Sequence, residues 1–246
     1  MKKLLMTSLA LVLAACGGGG SDAPVAVAPA PQPVVATAAG FWEGTASTGV
    51  VVSLAILEDG QTWGVYTSGN QIAGALYGVT TSSGTTLSGT GKDFNVPTRS
   101  IGSASYTGTF AANSRISVNT STGGSLTAAY VATYDQPASL TALAGTFQGT
   151  GITGTTNAQA IPVTISTTGA ITVPTSQGCG ATGTAVPRAS GKNIFDISVT
   201  FNGSNCALGN GSTTTGVGYF DIAKRRLLVV ALNSAKSDGF IYVGQK

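Results

Sequence analysis

The sequence lacks histidine entirely, and only nine of its 246 residues are aspartate or glutamate. Histidine is the usual general base of Ser-His-Asp and Cys-His sites, so the sequence offers neither kind of site. Glycosidases need two carboxylates at a set separation, whereas most acidic residues here fall at predicted strand ends and turns. We therefore predict no enzymatic activity, no catalytic residue, no cofactor and no metal site.

Charge is scarce as well, since charged residues make up 9% of the chain against about 25% in an average protein. The formal net charge of +3 includes Lys2 and Lys3, which we expect to leave with a signal peptide. A near-neutral balance without a basic patch does not favour electrostatic binding of nucleic acid. We therefore predict no nucleic-acid partner.

Long hydrophobic runs are missing too, and the longest apolar stretch, from Leu4 to Leu13, is too short to span a bilayer. It follows a charged start and leads into small residues and a cysteine, Leu13-Ala14-Ala15-Cys16. That layout is typical of a secretory signal with a cleavage site. We therefore predict a signal peptide over residues 1–15.

The Leu-Ala-Ala-Cys tetrapeptide resembles the lipobox of bacterial lipoproteins. The resemblance implies attachment of lipid, palmitate among it, to the thiol of Cys16 and cleavage just before this residue. In this family an aspartate after the cysteine signals retention in the inner membrane, and here that residue is Gly17. The expected location is therefore the cell envelope, in the outer membrane, with Cys16 as the membrane anchor.

Residues 16–39 are rich in glycine, alanine and proline, a composition that favours extended backbone over packed structure. We interpret this segment as a tether. The remaining length suits two domains of about 100 residues. An internal repeat supports this division, because Gly40-Phe41-Trp42-Glu43-Gly44-Thr45 and Gly145-Thr146-Phe147-Gln148-Gly149-Thr150 begin 105 positions apart. The predicted domains are residues 40–138 and 139–246.

Each domain reads as eight short strands separated by turn signals. Apolar and polar residues alternate, as in residues 194–201, which favours strands with one packed face over helices. Turn pairs such as Asp59-Gly60 suit short hairpins, so the class is all-β, with two tandem eight-stranded antiparallel meander barrels as the leading architecture. Two immunoglobulin-like sandwiches are the alternative. The eighth strand is predicted over residues 125–135, followed by a linker over residues 135–143.

Besides Cys16, the chain contains two cysteines, Cys179 and Cys206. The expected envelope location keeps thiols oxidised, so we predict a disulfide bond between them. A metal site is a poor alternative, because these cysteines have neither histidine nor neighbouring carboxylates to complete a tetrahedral shell.

Two sets of residues are candidate ligand contacts. Lys224, Arg225 and Arg226 form the one dense charge cluster, and they suit either a solvated hairpin turn or an anion or glycan contact at a barrel rim. Trp42 and Trp63 belong to an aromatic group in the first domain. They suit either core packing or contact with a partner.

The chain also resembles a known group of proteins in its plan: a lipidated cysteine, a low-complexity tether, and strand-rich repeats that end in residues 238–246. It is similar in this respect to the surface lipoproteins related to transferrin-binding protein B and factor H-binding protein, whose β-barrel domains bind host or solute molecules. The resemblance implies a non-catalytic binding module for a protein, glycan or small solute. A structural or assembly accessory of the envelope without a diffusible ligand is the alternative.

Overall fold

The computed structural model describes residues 37–246, which form two closed eight-stranded antiparallel barrels. The first barrel contains β1 (Gly40–Ala46), β2 (Val51–Ile56), β3 (Gln61–Ser68), β4 (Gln71–Ser83), β5 (Thr86–Asn95), β6 (Ser100–Ala111), β7 (Arg115–Thr120) and β8 (Ser125–Tyr130). The second contains β9 (Gly145–Thr153), β10 (Gln159–Ile165), β11 (Ala170–Ser176), β12 (Cys179–Pro187), β13 (Phe195–Asn202), β14 (Thr213–Asp221), β15 (Arg226–Leu232) and β16 (Gly239–Gln245). The predicted pair of meander barrels is confirmed, and the sandwich alternative is not needed. The predicted signal peptide, Cys16 and most of the tether lie outside the described residues.

The connection between the barrels begins with a helix where the sequence predicts the end of the eighth strand, and a second short helix lies in the predicted linker. Strand β8 ends at Tyr130, and residues Ala132–Asp135 form a short 3₁₀ helix. A single α-helical turn, α1 (Leu140–Leu143), follows it, with the Ser139 hydroxyl accepting a hydrogen bond from the third residue of that turn. No helix within residues 37–246 has the length and apolar character needed to cross a membrane.

Helix α1 closes one end of the second barrel. Leu143 is completely buried in the interior of this barrel. The Lys246 ammonium group donates hydrogen bonds to the carbonyl groups of Ala142, Leu143 and Ala144 at 2.6, 3.2 and 2.8 Å. These carbonyls have no partner within so short a helix, so the last residue of the chain caps this end.

The two barrels use the same turn after their second strand. Gly60 and Gly169 both have positive φ angles, of 82° and 83°, a conformation that favours glycine. Their carbonyl groups accept hydrogen bonds from the N–H groups of Thr80 and Ala185, at 2.8 and 2.7 Å. A Cβ atom would lie 2.5 and 2.1 Å from the carbonyl oxygens of those same two residues. The turns are therefore structurally equivalent, and β2–β3 corresponds to β10–β11.

Three apolar clusters hold the fold together. One fills the first barrel around Trp42 and Tyr106, and another lines the second barrel around Phe147 and Phe201. The third lies between the barrels. Strand β15 contributes to two of them, because Leu227, Val229 and Ala231 face the second interior, whereas Leu228, Val230 and Leu232 face the first barrel.

Aromatic stacking and ion pairs complete the contact between the barrels. The rings of Phe41 and Tyr219 stack with their centroids 3.6 Å apart. Arg188 of the second barrel lies 2.8 Å from Glu58 and 2.9 Å from Asp59 in the β2–β3 turn. The Arg188 side chain is largely covered, with 17% of its surface exposed. The buried apolar cluster and these paired charges join the barrels laterally.

Asp93 provides a pH-dependent element inside the first barrel, where its carboxylate accepts a hydrogen bond from the Tyr66 hydroxyl. Burial raises the pKa of Asp93 above its ordinary value, because burial disfavours the charged form. The folded state therefore binds this proton more tightly than the unfolded state does. The contribution to stability is complete below the ordinary pKa and is lost as the pH rises through the folded-state pKa.

We expect Asp93→Asn to become more stable relative to the wild type as the pH rises from about 3.5 to about 7, because the amide buries no charge. Urea unfolding at both pH values measures this difference. Asp135→Asn is the matched control with the opposite trend, because a hydrogen bond from Lys192 holds the pKa of Asp135 below its ordinary value. The same trend in both variants would contradict the assignment.

Candidate functional site

The second barrel encloses a cavity of about 290 Å³. Its walls include inward-facing side chains of β10 to β13, β15 and β16, among them Ile161, Val163, Val173, Val199, Phe201 and Phe240. Among the residues that the structure describes, no Asp, Glu, Lys or Arg side chain lines it. Apolar lining with a few polar groups is the usual character of small-molecule sites.

The repeat allows inward-facing residues of the two barrels to be compared. Trp42 and Phe147 occupy the same position in the repeated first strands. Leu76 and Ala181 also correspond, because they lie four residues before Thr80 and Ala185. The N–H groups of those two residues donate to the carbonyl groups of the turn glycines. At both inward positions the second barrel has the smaller side chain. At the residues paired with Leu76 and Ala181, which are Gly64 and Val173, the second barrel has the larger side chain.

The cavity lies along a seam between β10 and β11. The ladder of these strands consists of two residue pairs, Thr164↔Thr172 and Ile165↔Ile171, next to the turn. The Ser166 N–H donates to the Ala170 carbonyl, so these two residues form a hydrogen-bonded pair. Further from the turn, every second residue pair of an antiparallel ladder is hydrogen-bonded in the same way. Thr164↔Thr172 is therefore one such pair. Two residues further, the same register places Pro162 opposite Pro174.

A proline has no N–H group and cannot donate to a ladder. Both hydrogen bonds of the next pair are therefore lost, which explains why pairing stops before Pro162 and Pro174. The first barrel supplies an internal comparison, since the corresponding residues, Ser53 and Val65, are paired within a ladder of six residue pairs between β2 and β3. The seam thus results from two prolines at facing positions.

The predicted disulfide bond between Cys179 and Cys206 is present, with a Cα–Cα distance of 4.8 Å. It joins the start of β12 to the loop between β13 and β14, at the end of the barrel opposite α1. Cys179 also lines the cavity. The bond therefore ties together two segments at the end of the barrel away from α1.

Tyr242 supplies a polar group in the cavity wall. Its hydroxyl lies 3.0 Å from the carbonyl oxygen of Phe147 and 3.1 Å from that of Ile161. Burial raises the pKa of Tyr242 above its ordinary value, which keeps the phenol neutral. The single hydroxyl proton is shared between a carbonyl group on β9 and one on β10. The hydroxyl therefore helps to hold β10 against β9, on the side away from the seam.

The two predicted tryptophan contacts lie in apolar clusters. Trp42 is completely buried inside the first barrel, and its indole N–H donates to the Ala38 carbonyl at 3.1 Å. Trp63 is 4% exposed and lies between the barrels. The ammonium group of Lys236 lies 5.5 Å from the centroid of the Trp63 ring, within the range of a cation–π interaction. Both side chains have packing roles here.

Two members of the predicted basic cluster form ion pairs across the barrels. Lys224 and Arg226 both contact the carboxylate of Glu43. Lys224 also lies 3.3 Å from Asp221. Arg225 is exposed at the tip of the turn, with a φ angle of 51°. Contact of these residues with an anion or glycan stays a prediction.

The sequence alone did not locate the cavity or the seam. A signal was present, because Pro162 and Pro174 fall in consecutive predicted strands, and proline within a strand marks an edge or an interruption. Recognising that the two prolines face each other required the register of the hairpin.

No family model matches the chain, and no curated protein matches it. Among solved structures it is similar to a crystal structure of a protein of unknown function from the DUF3598 family of Nostoc punctiforme. The identity is 11%, the TM-score is 0.28, and the match covers 85% of this chain and 96% of the other.

Proposed function

We propose that the protein is an outer-membrane-anchored lipoprotein whose second barrel binds a small apolar molecule without catalysis. The cavity of about 290 Å³ is the observation that carries this proposal. An apolar cavity of about 150 Å³ holds benzene in another protein, so this one has room for a ligand about twice as large. An eight-stranded barrel is wide enough for one small ligand when its own side chains do not fill it.

The chemistry of the lining supports binding over catalysis. Residues that line the cavity within the described part of the chain include no ionisable acid or base apart from the neutral phenol of Tyr242. Its hydroxyl is hydrogen-bonded to two backbone carbonyls. General acid–base chemistry needs a proton donor or acceptor within reach of the reacting group, and this lining favours simple occupancy.

Anchoring is supported by the sequence. Leu13-Ala14-Ala15-Cys16 resembles a lipobox, and residues 16–39 have the composition of a tether. A tether of proline and alanine extends by about 3 Å per residue. The barrels would therefore stand clear of the membrane surface, with the seam available to solutes.

The proposal is tested by titrating the full chain with N-phenyl-1-naphthylamine, an uncharged probe that fluoresces in apolar surroundings. A Cys16→Ser form that accepts no lipid avoids the need for detergent. We expect Ala181→Phe to weaken probe binding at least about tenfold, because the new ring occupies the cavity. Thr182→Phe, which adds the same ring on the exposed face of β12, should bind the probe as the parent does.

Circular dichroism establishes that both variants retain the barrel fold. Because overpacking is itself destabilising, Val199→Leu serves as a milder second filling of the same cavity, with an intermediate effect expected. A parent chain that does not bind the probe would contradict the proposal. So would folded Ala181→Phe and Val199→Leu variants with unchanged affinity.

A further inference from the structure

The shape of the cavity limits the kind of molecule that fits. The lining follows β10 from Gln159 to Ile165, and seven residues of extended strand span about 20 Å. The volume of about 290 Å³ is small for that length. The space is therefore long and narrow, which suits an elongated molecule better than a compact, rounded one.

The charge of the ligand is limited by its surroundings. Within residues 37–246, the side chains that line the cavity carry no charge that could pair with an ion. The Tyr242 hydroxyl is hydrogen-bonded to backbone. Moving a charged group from water into an apolar space without a partner is strongly unfavourable. An uncharged ligand is therefore favoured.

Polarity is unevenly distributed along the cavity. Ile165 and Ile171 lie beside the turn near α1, where the barrel is closed. Gln159 and Ser176 lie at the opposite end, and both are exposed. A side-chain amide and a hydroxyl there can hydrogen-bond a polar end group while the apolar chain points toward the isoleucines.

The seam offers lateral access. Beyond Thr164↔Thr172 the strands β10 and β11 have no ladder pair in the described structure, and residues from both strands line the cavity. Neither strand contributes to the apolar cluster between the barrels. The seam therefore lies away from the first barrel.

From these four observations we infer that the ligand is an uncharged single-chain amphiphile, such as a neutral alcohol or ester, and that it enters sideways between β10 and β11. Its apolar chain lies along the seam, and its polar end meets Gln159 and Ser176. The inference rests on the proposed function, since it specifies the occupant of the same cavity.

The class of ligand is tested by displacing N-phenyl-1-naphthylamine with octan-1-ol, octanoate and octylammonium at neutral pH. We expect the alcohol to displace the probe at a concentration at least about tenfold below that of either ion, because the ions lose hydration without finding a partner. Equal or better displacement by an ion would overturn the inference. Gln159→Leu combined with Ser176→Ala should weaken octan-1-ol at least about threefold more than it weakens the probe. Equal effects on the alcohol and the probe would contradict the assignment of the polar end to these residues.

The lateral route of ligand entry is tested by replacing the two seam prolines with the corresponding residues of the first barrel. Pro162→Ser combined with Pro174→Val copies Ser53 and Val65 and restores two N–H donors. We expect the association rate of the probe in stopped-flow fluorescence to fall at least about tenfold, because closing the ladder blocks lateral access. Pro187→Val, a proline change on β12 away from the seam, is the matched control and should leave the rate unchanged.

Hydrogen exchange at residues 162 and 174 reports whether the seam has closed. Protected amides with an unchanged rate would overturn the route. If the amides stay unprotected, Pro162→Cys with Pro174→Cys crosslinks the strands covalently, and an unchanged rate after crosslinking would overturn it equally. Failure of the proposed function is distinguishable, because the parent chain would then bind neither the probe nor octan-1-ol.

Discussion

Replacing Trp42 with alanine is expected to lower the free energy of unfolding by about 3 to 5 kcal/mol, the usual cost of deleting a buried aromatic side chain. Trp42 is completely buried and meets the Tyr130 ring edge-on at a centroid distance of 5.1 Å. Its loss also leaves the Ala38 carbonyl without the indole N–H donor. The substitution therefore removes buried ring volume, an aromatic contact and a hydrogen bond, all within the first barrel.

Urea unfolding followed by circular dichroism measures the effect. Trp42→Phe is the control, because it retains most of the ring volume and removes the indole N–H, and we expect it to cost about 1 to 3 kcal/mol. A loss below about 1 kcal/mol for Trp42→Ala would show that this side chain does not fill the barrel. The same variant should leave probe binding in the second barrel intact.

Removing the disulfide bond is expected to have an effect of similar size. Cys179 and Cys206 are separated by 27 positions, and closing a loop of that length stabilises a fold by about 3 to 4 kcal/mol on the chain-entropy model. The double variant Cys179→Ser, Cys206→Ser should lose this contribution. Because the bond ties the start of β12 to the loop between β13 and β14, we also expect faster hydrogen exchange in these two segments.

A reducing agent provides the control for this prediction. It should destabilise the parent chain by nearly the same amount and leave the double serine variant unchanged, since no bond remains to reduce. If reductant and variant differ by more than about 1 kcal/mol, the serine substitutions themselves account for part of the loss. A stable, unchanged double variant would show that the loops are held without the bond.

The arrangement of the two barrels separates support from binding. The first barrel is filled by large side chains around Trp42, and it covers one outer side of the second through strands β14 to β16. The seam between β10 and β11 takes no part in that contact. The interface can therefore be stable without restricting access to the cavity.

Local patterns predicted the strands well. Alternation in residues 194–201 predicted strand β13, observed as Phe195–Asn202, because one face of the strand packs and the other meets solvent. The same rule extended β8 too far, to residue 135. There the chain leaves the sheet and forms a 3₁₀ helix that carries it to the second barrel, and tertiary contacts such as that of buried Tyr134 outweigh strand preference.

The role of individual side chains was less predictable. The sequence left Lys224 and Arg226 open between a solvated turn and a ligand contact, and their partner, Glu43, lies in the other barrel. For Trp63 the sequence left core packing and partner contact open, and residues distant in the chain bury it. Pairing between distant segments leaves no local signature, so composition and spacing do not reveal it.

The sequence by itself determined the all-β class, the division into two eight-stranded units and the pairing of Cys179 with Cys206. The physical patterns behind these predictions are alternation, turn residues, a repeat and the presence of two cysteines besides Cys16, and all of them can be read along the chain. Only the tertiary structure decided that the barrels pack laterally and that the second one keeps a cavity. It also decided that Pro162 faces Pro174. The physical reason is that barrel closure and strand register bring distant residues together, and packing volume depends on all of them at once.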